Sequence, residues 1–157
     1  MWMMETERLC VRPFAAEDLE ALHSILSDEE VMRWLEAPYS RKQTETFLAH
    51  VRGAEPPPVF AVTWKETGRV IGQLIYHPFD RESWELGWIL RRDVWRQGLA
   101  DELTRAILRD AEALGIPALV IEGDPRQQIT RHIAEKHGFA YEGEVEGLAL
   151  YRRRIQR

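Results

Sequence analysis

The sequence predicts an α/β fold, α+β in some schemes: a mixed, mostly antiparallel sheet with helices on both faces. Three observations lead there. Three β-patterned stretches, 59–64, 69–78 and 85–90, follow one another through short turns, as consecutive antiparallel strands do. An amphipathic helix then precedes the almost wholly apolar run Pro117–Glu122, the composition of a central strand covered on both faces. A helix between two such strands makes a right-handed parallel crossover. Last, 139–144 and 148–155 flank Glu146-Gly147 and read as a terminal hairpin.

Taken in order, Thr6–Phe14 alternates Leu9 and Val11 against Arg8, Cys10 and Arg12, a first strand with Pro13 near its end. Ala16–Leu26 is a helix with Leu19, Leu22, His23, Ile25 and Leu26 inward. Ser27-Asp28 caps a second short helix through Trp34 and Leu35. Ser40 caps a third, with Phe47, Leu48 and Val51 inward. Gly53–Pro58 breaks the chain before the sheet, and Lys65–Gly68 turns between the next two strands.

The crossover helix carries Leu99, Leu103, Ala106, Ile107, Ala111 and Leu114 on one face and charged residues on the other. Gly115 supplies its left-handed C-terminal cap, and Pro117 prevents its resumption. A last helix within Asp124–Phe139 buries Ile129, Ile133 and Ala134 and ends at Gly138.

With 157 residues the chain is long enough for one domain with one core, spanning 1–157. Its charge of -5 argues against nucleic acid as partner and suits a cationic substrate. No apolar run approaches the roughly 20 residues of a membrane helix, and the first residues lack a secretion signal. Cys10 is the only cysteine, so no internal disulfide forms and a cytoplasmic setting fits. The histidines His23, His50, His77, His132 and His137 show no metal-ligand spacing, so no metal is expected.

The crossover helix opens on an anion site. A helix start leaves about four N–H groups unpaired and carries roughly half a positive charge. Gln97-Gly98-Leu99-Ala100 puts small residues there, so a phosphate could touch the backbone. Arg91, Arg92 and Arg96 add positive charge nearby. An ordinary strand-to-helix turn with surface arginines would look the same in isolation.

The longer string decides more. Glu-Leu-Gly-Trp-Ile-Leu (85–90) and Trp-Arg-Gln-Gly-Leu-Ala-Asp-Glu-Leu (95–103) resemble the acetyl-CoA-binding segment of the GCN5-related N-acetyltransferase (GNAT) superfamily. They resemble most the Rim-type branch, which includes the ribosomal-protein N-terminal acetyltransferases. Gly98 and Ala100 fit the family's small-residue positions, and Trp95 stands where Arg or Gln is usual, as in that branch. Glu-Lys-His-Gly-Phe (135–139) is similar to the end of the family's last helix, with Gln127 and Thr130 at its customary Asn and Ser places.

The resemblance implies a single-domain GNAT fold and direct acetyl transfer from acetyl-CoA to a primary amine, either a protein N-terminus or a small molecule. It implies that Trp88, Ile89 and Leu90 pair with the pantetheine arm, and that Arg96, Gln97, Gly98, Leu99 and Ala100, with Gln127 and Thr130, bind the rest of the cofactor. It implies an oxyanion donor from the backbone near Ile89 or Leu90.

The chemistry also needs a proton acceptor. Holding an amine of pKa about 10.4 neutral at pH 7 costs roughly 4–5 kcal/mol. Glu85 is the first candidate, Glu122 the second, and a water chain the third. Many relatives protonate the leaving thiolate with a tyrosine whose place Ala134 takes here. Thr130 is left to do this directly, to hold a water, or merely to cap its helix. A small-molecule or peptide amine is the expected partner, without nucleic acid or membrane, and the protein is expected as a monomer or homodimer. The rivals are an acyl-CoA-binding sensor or assembly subunit without turnover, and a purely structural domain.

Overall fold

A computed structural model describes residues 2–155. Its strands are β1 (Met4–Glu5), β2 (Leu9–Arg12), β3 (Val59–Trp64), β4 (Val70–Pro78), β5 (Ser83–Leu90), β6 (Ala118–Gly123), β7 (Ala140–Val145) and β8 (Leu148–Arg154). Its α-helices are α1 (Leu19–Leu26), α2 (Glu29–Met32), α3 (Arg41–Gly53), α4 (Leu99–Leu114) and α5 (Gln128–Lys136). The eight strands form one mixed sheet, as expected.

Two compact units divide the chain, and β4 and β5 run through both. The first holds residues up to Ile75 with Trp88–Gln97. Its strands lie in the order β1-β2-β3-β4-β5, and the ladders β1–β2, β2–β3 and β3–β4 are antiparallel. Leu22, Ile25, Leu48 and Val51 from the helices pack with Val59 and Ala61 of β3 in an apolar core. Side chains cap two of its helices. Asp28 accepts from the Glu30 amide at 2.9 Å. Ser40 accepts from the Gln43 amide at 3.1 Å, and Gln43 accepts back from the Ser40 amide at 2.8 Å. Each such cap stabilises by about 1 kcal/mol.

The second unit holds Tyr76–Gly87 and Gly98 onward, with strand order β4-β5-β6-β8-β7. Its β5–β6 ladder is parallel, and β6–β8 and β7–β8 are antiparallel. Helix α4 is the crossover between β5 and β6; Leu99, Leu103, Ile107 and Ala111 are buried along its inner face. Glu146 and Gly147, both with positive φ, make the β7–β8 turn.

Four details depart from the sequence reading. The two-residue β1 was not foreseen; too short to carry a period, it pairs Met4 with Val11. Helix α2 ends at Met32, because the chain tightens into a single turn closed by the Leu35 amide on the Met32 carbonyl. Leu35 is consequently exposed. Ile129 is exposed, since helical side chains lean toward the N-terminus and this one lies in the first turn of α5. Leu114 is exposed because α4 ends there and Gly115, at φ 73°, turns the chain away.

Candidate functional site

In the first unit, β5 ends in Trp88, Ile89 and Leu90, the first two half-buried and Leu90 buried. Gly72 of β4 lies hard against this end. A Cβ there would collide with the Ile89 carbonyl oxygen and come within 2.8 Å of Leu90 Cδ2. Only glycine lets the two backbones approach so closely. The chain then leaves the strand through a 3-10 turn at Arg92–Val94. Trp95 closes that turn: its indole N–H donates to the Leu90 carbonyl at 2.9 Å. Arg8 fixes the far end, donating to the Gln97 carbonyl at 2.9 Å.

The three arginines expected to lend charge behave differently from one another. Arg91 bonds Asp93 and the Ser24 hydroxyl, and Arg92 pairs with Asp28 at 3.2 Å. Both are committed to neighbours of the first unit, so their charge is largely matched there. Arg96 and Gln97 are exposed, and Arg96 holds a left-handed φ of 65°. A non-glycine residue costs about 1–3 kcal/mol there, a strain that clusters at ligand sites.

In the second unit, α4 begins on Gly98, whose φ of 77° is left-handed and which provides no side-chain cap. Helices α3 and α5 spend Ser40 and Gln127 on their first amides; the first amides of α4 are left to a ligand or solvent. Leu99 is buried and anchors the turn, while Gly98 is exposed and Ala100 half-buried. Asp101, in that first turn, pairs with His137 Nε2 at 2.8 Å and Lys136 Nζ at 3.2 Å. Lys136 lies in the last turn of α5 and Asp101 in the first turn of α4, so each of these charges favours its own helix dipole. The bridge clamps the start of α4 and offsets the charge of Asp101, one of two acidic residues in that turn with Glu102.

The β5–β6 ladder joins Ser83, Trp84 and Glu85 to Ala118, Leu119 and Val120. Both strands continue past it, and β6 keeps its β8 partners as far as Gly123. The β5 side of Ile121–Gly123 thus opens where the parallel pairing ends, a natural ligand cleft at strand carboxyl ends. Thr130 overlies this end of β6: a Cβ on Gly123 would sit 3.1 Å from Thr130 Cγ2 and 3.7 Å from its Oγ1. Gln127, expected at the cofactor, uses its side-chain oxygen to cap α5, accepting from the Thr130 amide at 3.1 Å. Ala134 is fully buried, so no hydroxyl is available at that place.

The two candidate bases meet. Glu85 and Glu122 are half-buried and within hydrogen-bonding reach of each other. Burial pushes the Glu122 carboxyl above the usual carboxylate range, with the charge of Glu85 and the bond to it adding, then Glu146; His77 pulls the other way. His77 Nε2 lies 3.2 Å from Glu85 Oε1. Its bond to Glu85 raises the His77 pKa against burial, and the Pro78 carbonyl and both glutamates add to the rise. Sequence reasoning tested His77 only for metal spacing and missed it. The pairing is set by the turn: the Phe79 amide donates to the Ser83 carbonyl at 2.9 Å, and counting outward from it sets His77 opposite Glu85, a register that the sequence alone does not fix.

The model of the Acetyltransferase (GNAT) domain family matches residues 8–140. The chain belongs to this family. The acetyltransferase is 23% identical over 141 residues to the uncharacterized N-acetyltransferase YnaD of Bacillus subtilis, a match covering 88% of this chain and 82% of that protein. Among solved structures it shares its fold with a GNAT-family acetyltransferase from Bacillus anthracis, at TM-score 0.88 and 22% identity over 98% of this chain and 99% of that one. It is similar also to RimL, a ribosomal L7/L12 alpha-N-protein acetyltransferase solved with coenzyme A, at TM-score 0.82 and 17% identity over 98% of each chain. The acetyltransferase is therefore an acetyl-CoA-dependent enzyme that acetylates an amine, and a binding protein without turnover is disfavoured.

Proposed function

We propose that this acetyltransferase, one Rim-type domain over 1–157, transfers acetyl directly from acetyl-CoA to a primary amine in the cytoplasm, the acceptor being a protein N-terminus or a small molecule. The observation that carries the reading is the uncapped start of α4 on a left-handed glycine. Amides of Gln97–Ala100 hold the cofactor diphosphate, each charge-assisted bond contributing about 1.5–3 kcal/mol. Arg96 adds charge, and the Trp88–Leu90 backbone takes the pantetheine arm and supplies the oxyanion donor. Gln127 positions Thr130 through the α5 cap, and Thr130, over the end of β6, assists the departing thiolate. Glu85 and Glu122 serve as the base pair that neutralises the incoming ammonium.

Thiol release from acetyl-CoA, followed over a panel of primary amines and N-terminal peptides, tests this directly. Turnover with at least one acceptor is expected, without a covalent acetyl-enzyme. Tight CoA binding with no turnover on any amine would instead favour an acyl-CoA sensor.

A further inference from the structure

We infer that a second cleft, lined by β8 and the β4–β5 turn, binds a small polyanion through Arg81 and Arg153. The ligand class is a molecule carrying two or more carboxylate or phosphate groups.

The cleft lies within the second unit and measures about 830 Å³, inside the roughly 300–1,000 Å³ of ordinary small-molecule sites. Arg152, Arg153 and Arg154 on its wall pair with Val120, Leu119 and Ala118, the first residues of β6, whereas Thr130 lies over the last. It is therefore a separate place from the opening at the carboxyl end of β6. Four arginines line it, the fourth being Arg81, against three carboxylates, Asp80, Glu82 and Glu142. The chain as a whole carries -5, so this excess of positive charge runs against its trend.

Strand geometry sorts the arginines. Alternate residues of a strand share a face, and Arg152 and Arg154 both turn to the β4–β5 side. Arg152 donates to Asp80 at 3.2 Å, to Glu142 at 3.0 Å and to the Ser83 hydroxyl. Asp80 also accepts from the Glu82 and Ser83 amides, at 3.0 and 2.8 Å. Arg152 is thus the structural member, fastening the turn to the β7–β8 hairpin. Arg154 meets Glu82 at 3.4 Å, and both are exposed, so that pair is weak.

Two guanidiniums are left without a carboxylate. Arg153 points to the other side and donates to the His137 carbonyl at 2.7 Å. Of five donors in a planar fork it spends one there, and the missing side chain of Gly138 leaves its flank open. Arg81 is exposed and has no bonding partner among the described residues. A guanidinium fork fits the edge of a carboxylate or phosphate with two parallel hydrogen bonds. One ligand with two acidic groups satisfies both forks and removes the repulsion between them. The three carboxylates do not compete for these forks, because Arg152 and Arg154 hold them.

Nitrogen-15 NMR of the full chain at low salt tests this, with citrate as the carboxylate probe and inorganic pyrophosphate as the phosphate probe. Saturable shifts are expected at the Arg81 and Arg153 Nε–H signals and at the Gly138 amide with at least one probe, and the tighter probe identifies the acidic group. Arg81→Gln removes no contact of the fold and should weaken that Kd by about 10–100-fold. Arg153→Gln should weaken it similarly, with urea unfolding reporting any loss at the end of α5. Shifts at Gly98 and Leu99 report the start of α4 separately, so pyrophosphate bound there is not mistaken for this site. Neither probe shifting Arg81 and Arg153, or an unchanged Kd in Arg81→Gln, would overturn the inference and leave the arginines a purely structural network. No turnover enters the measurement, so a failed acetyl-transfer assay leaves this result standing.

Discussion

Asp18 carries the first unit's clearest charge pairing. Its carboxylate accepts from Arg12 at 2.8 and 2.9 Å and from the Ala15 amide at 2.7 Å, and the residue is 5% exposed. Burial alone would raise its pKa, but the Arg12 hydrogen bonds, the Ala15 amide and the Arg12 charge together hold it below the usual range. The folded value lies below the unfolded one, so this stabilisation is complete above about pH 4 and fades as pH falls through the folded value. Asp18→Asn should cost about 1.5–3 kcal/mol at pH 7. Urea unfolding at pH 7 and pH 3 checks it, and the gap between variant and wild type should narrow in acid. No periodicity rule exposes such a pair. Asp18 lies six residues from Arg12, and the sequence reading placed it only as a helical residue. His77 was hidden for the same reason, since its chemistry depends on a partner across a turn.

At the scale of the element, the strands and helices were legible because their periods are. Strand β3 lies where its β-favouring apolar content put it, and α4 begins and ends at the two glycines that the sequence marked. The fit of one element to another was less legible. Gly72 sits in an ordinary apolar run, yet it is the point where β4 admits the Ile89–Leu90 backbone. Gly72→Ala should therefore destabilise by about 1–3 kcal/mol, as overpacking does. It should also weaken CoA binding by displacing the end of β5. Paired urea and CoA titrations separate the two effects, and full stability would argue against the close approach. The arginine cluster taught the complementary lesson. Sequence proximity put Arg91 and Arg92 beside α4, whereas Asp93 and Asp28 already engage them.

For the whole molecule, the family string 95–103 and the alternation of strands and helices carried the fold, and the family match and the sheet order agree with it. Of the candidate site, the open start of α4 was legible as a motif, because Gly98 marks it. The grouping of Glu85, Glu122 and His77 was not, because they lie on three strands whose register no local pattern fixes. Ligand linkage gives a global check: CoA at about 100 times its Kd should add roughly 2.7 kcal/mol of stability. The central claim, that the start of α4 holds the cofactor's diphosphate, is tested most directly by calorimetric titration of CoA into wild type, Gly98→Asn and Gly98→Asp. Asparagine and aspartate both tolerate the left-handed φ of 77°, so their difference isolates charge. The account predicts modest weakening in Gly98→Asn and lost binding in Gly98→Asp, with both folds intact by circular dichroism. Unchanged affinity in Gly98→Asp would contradict it.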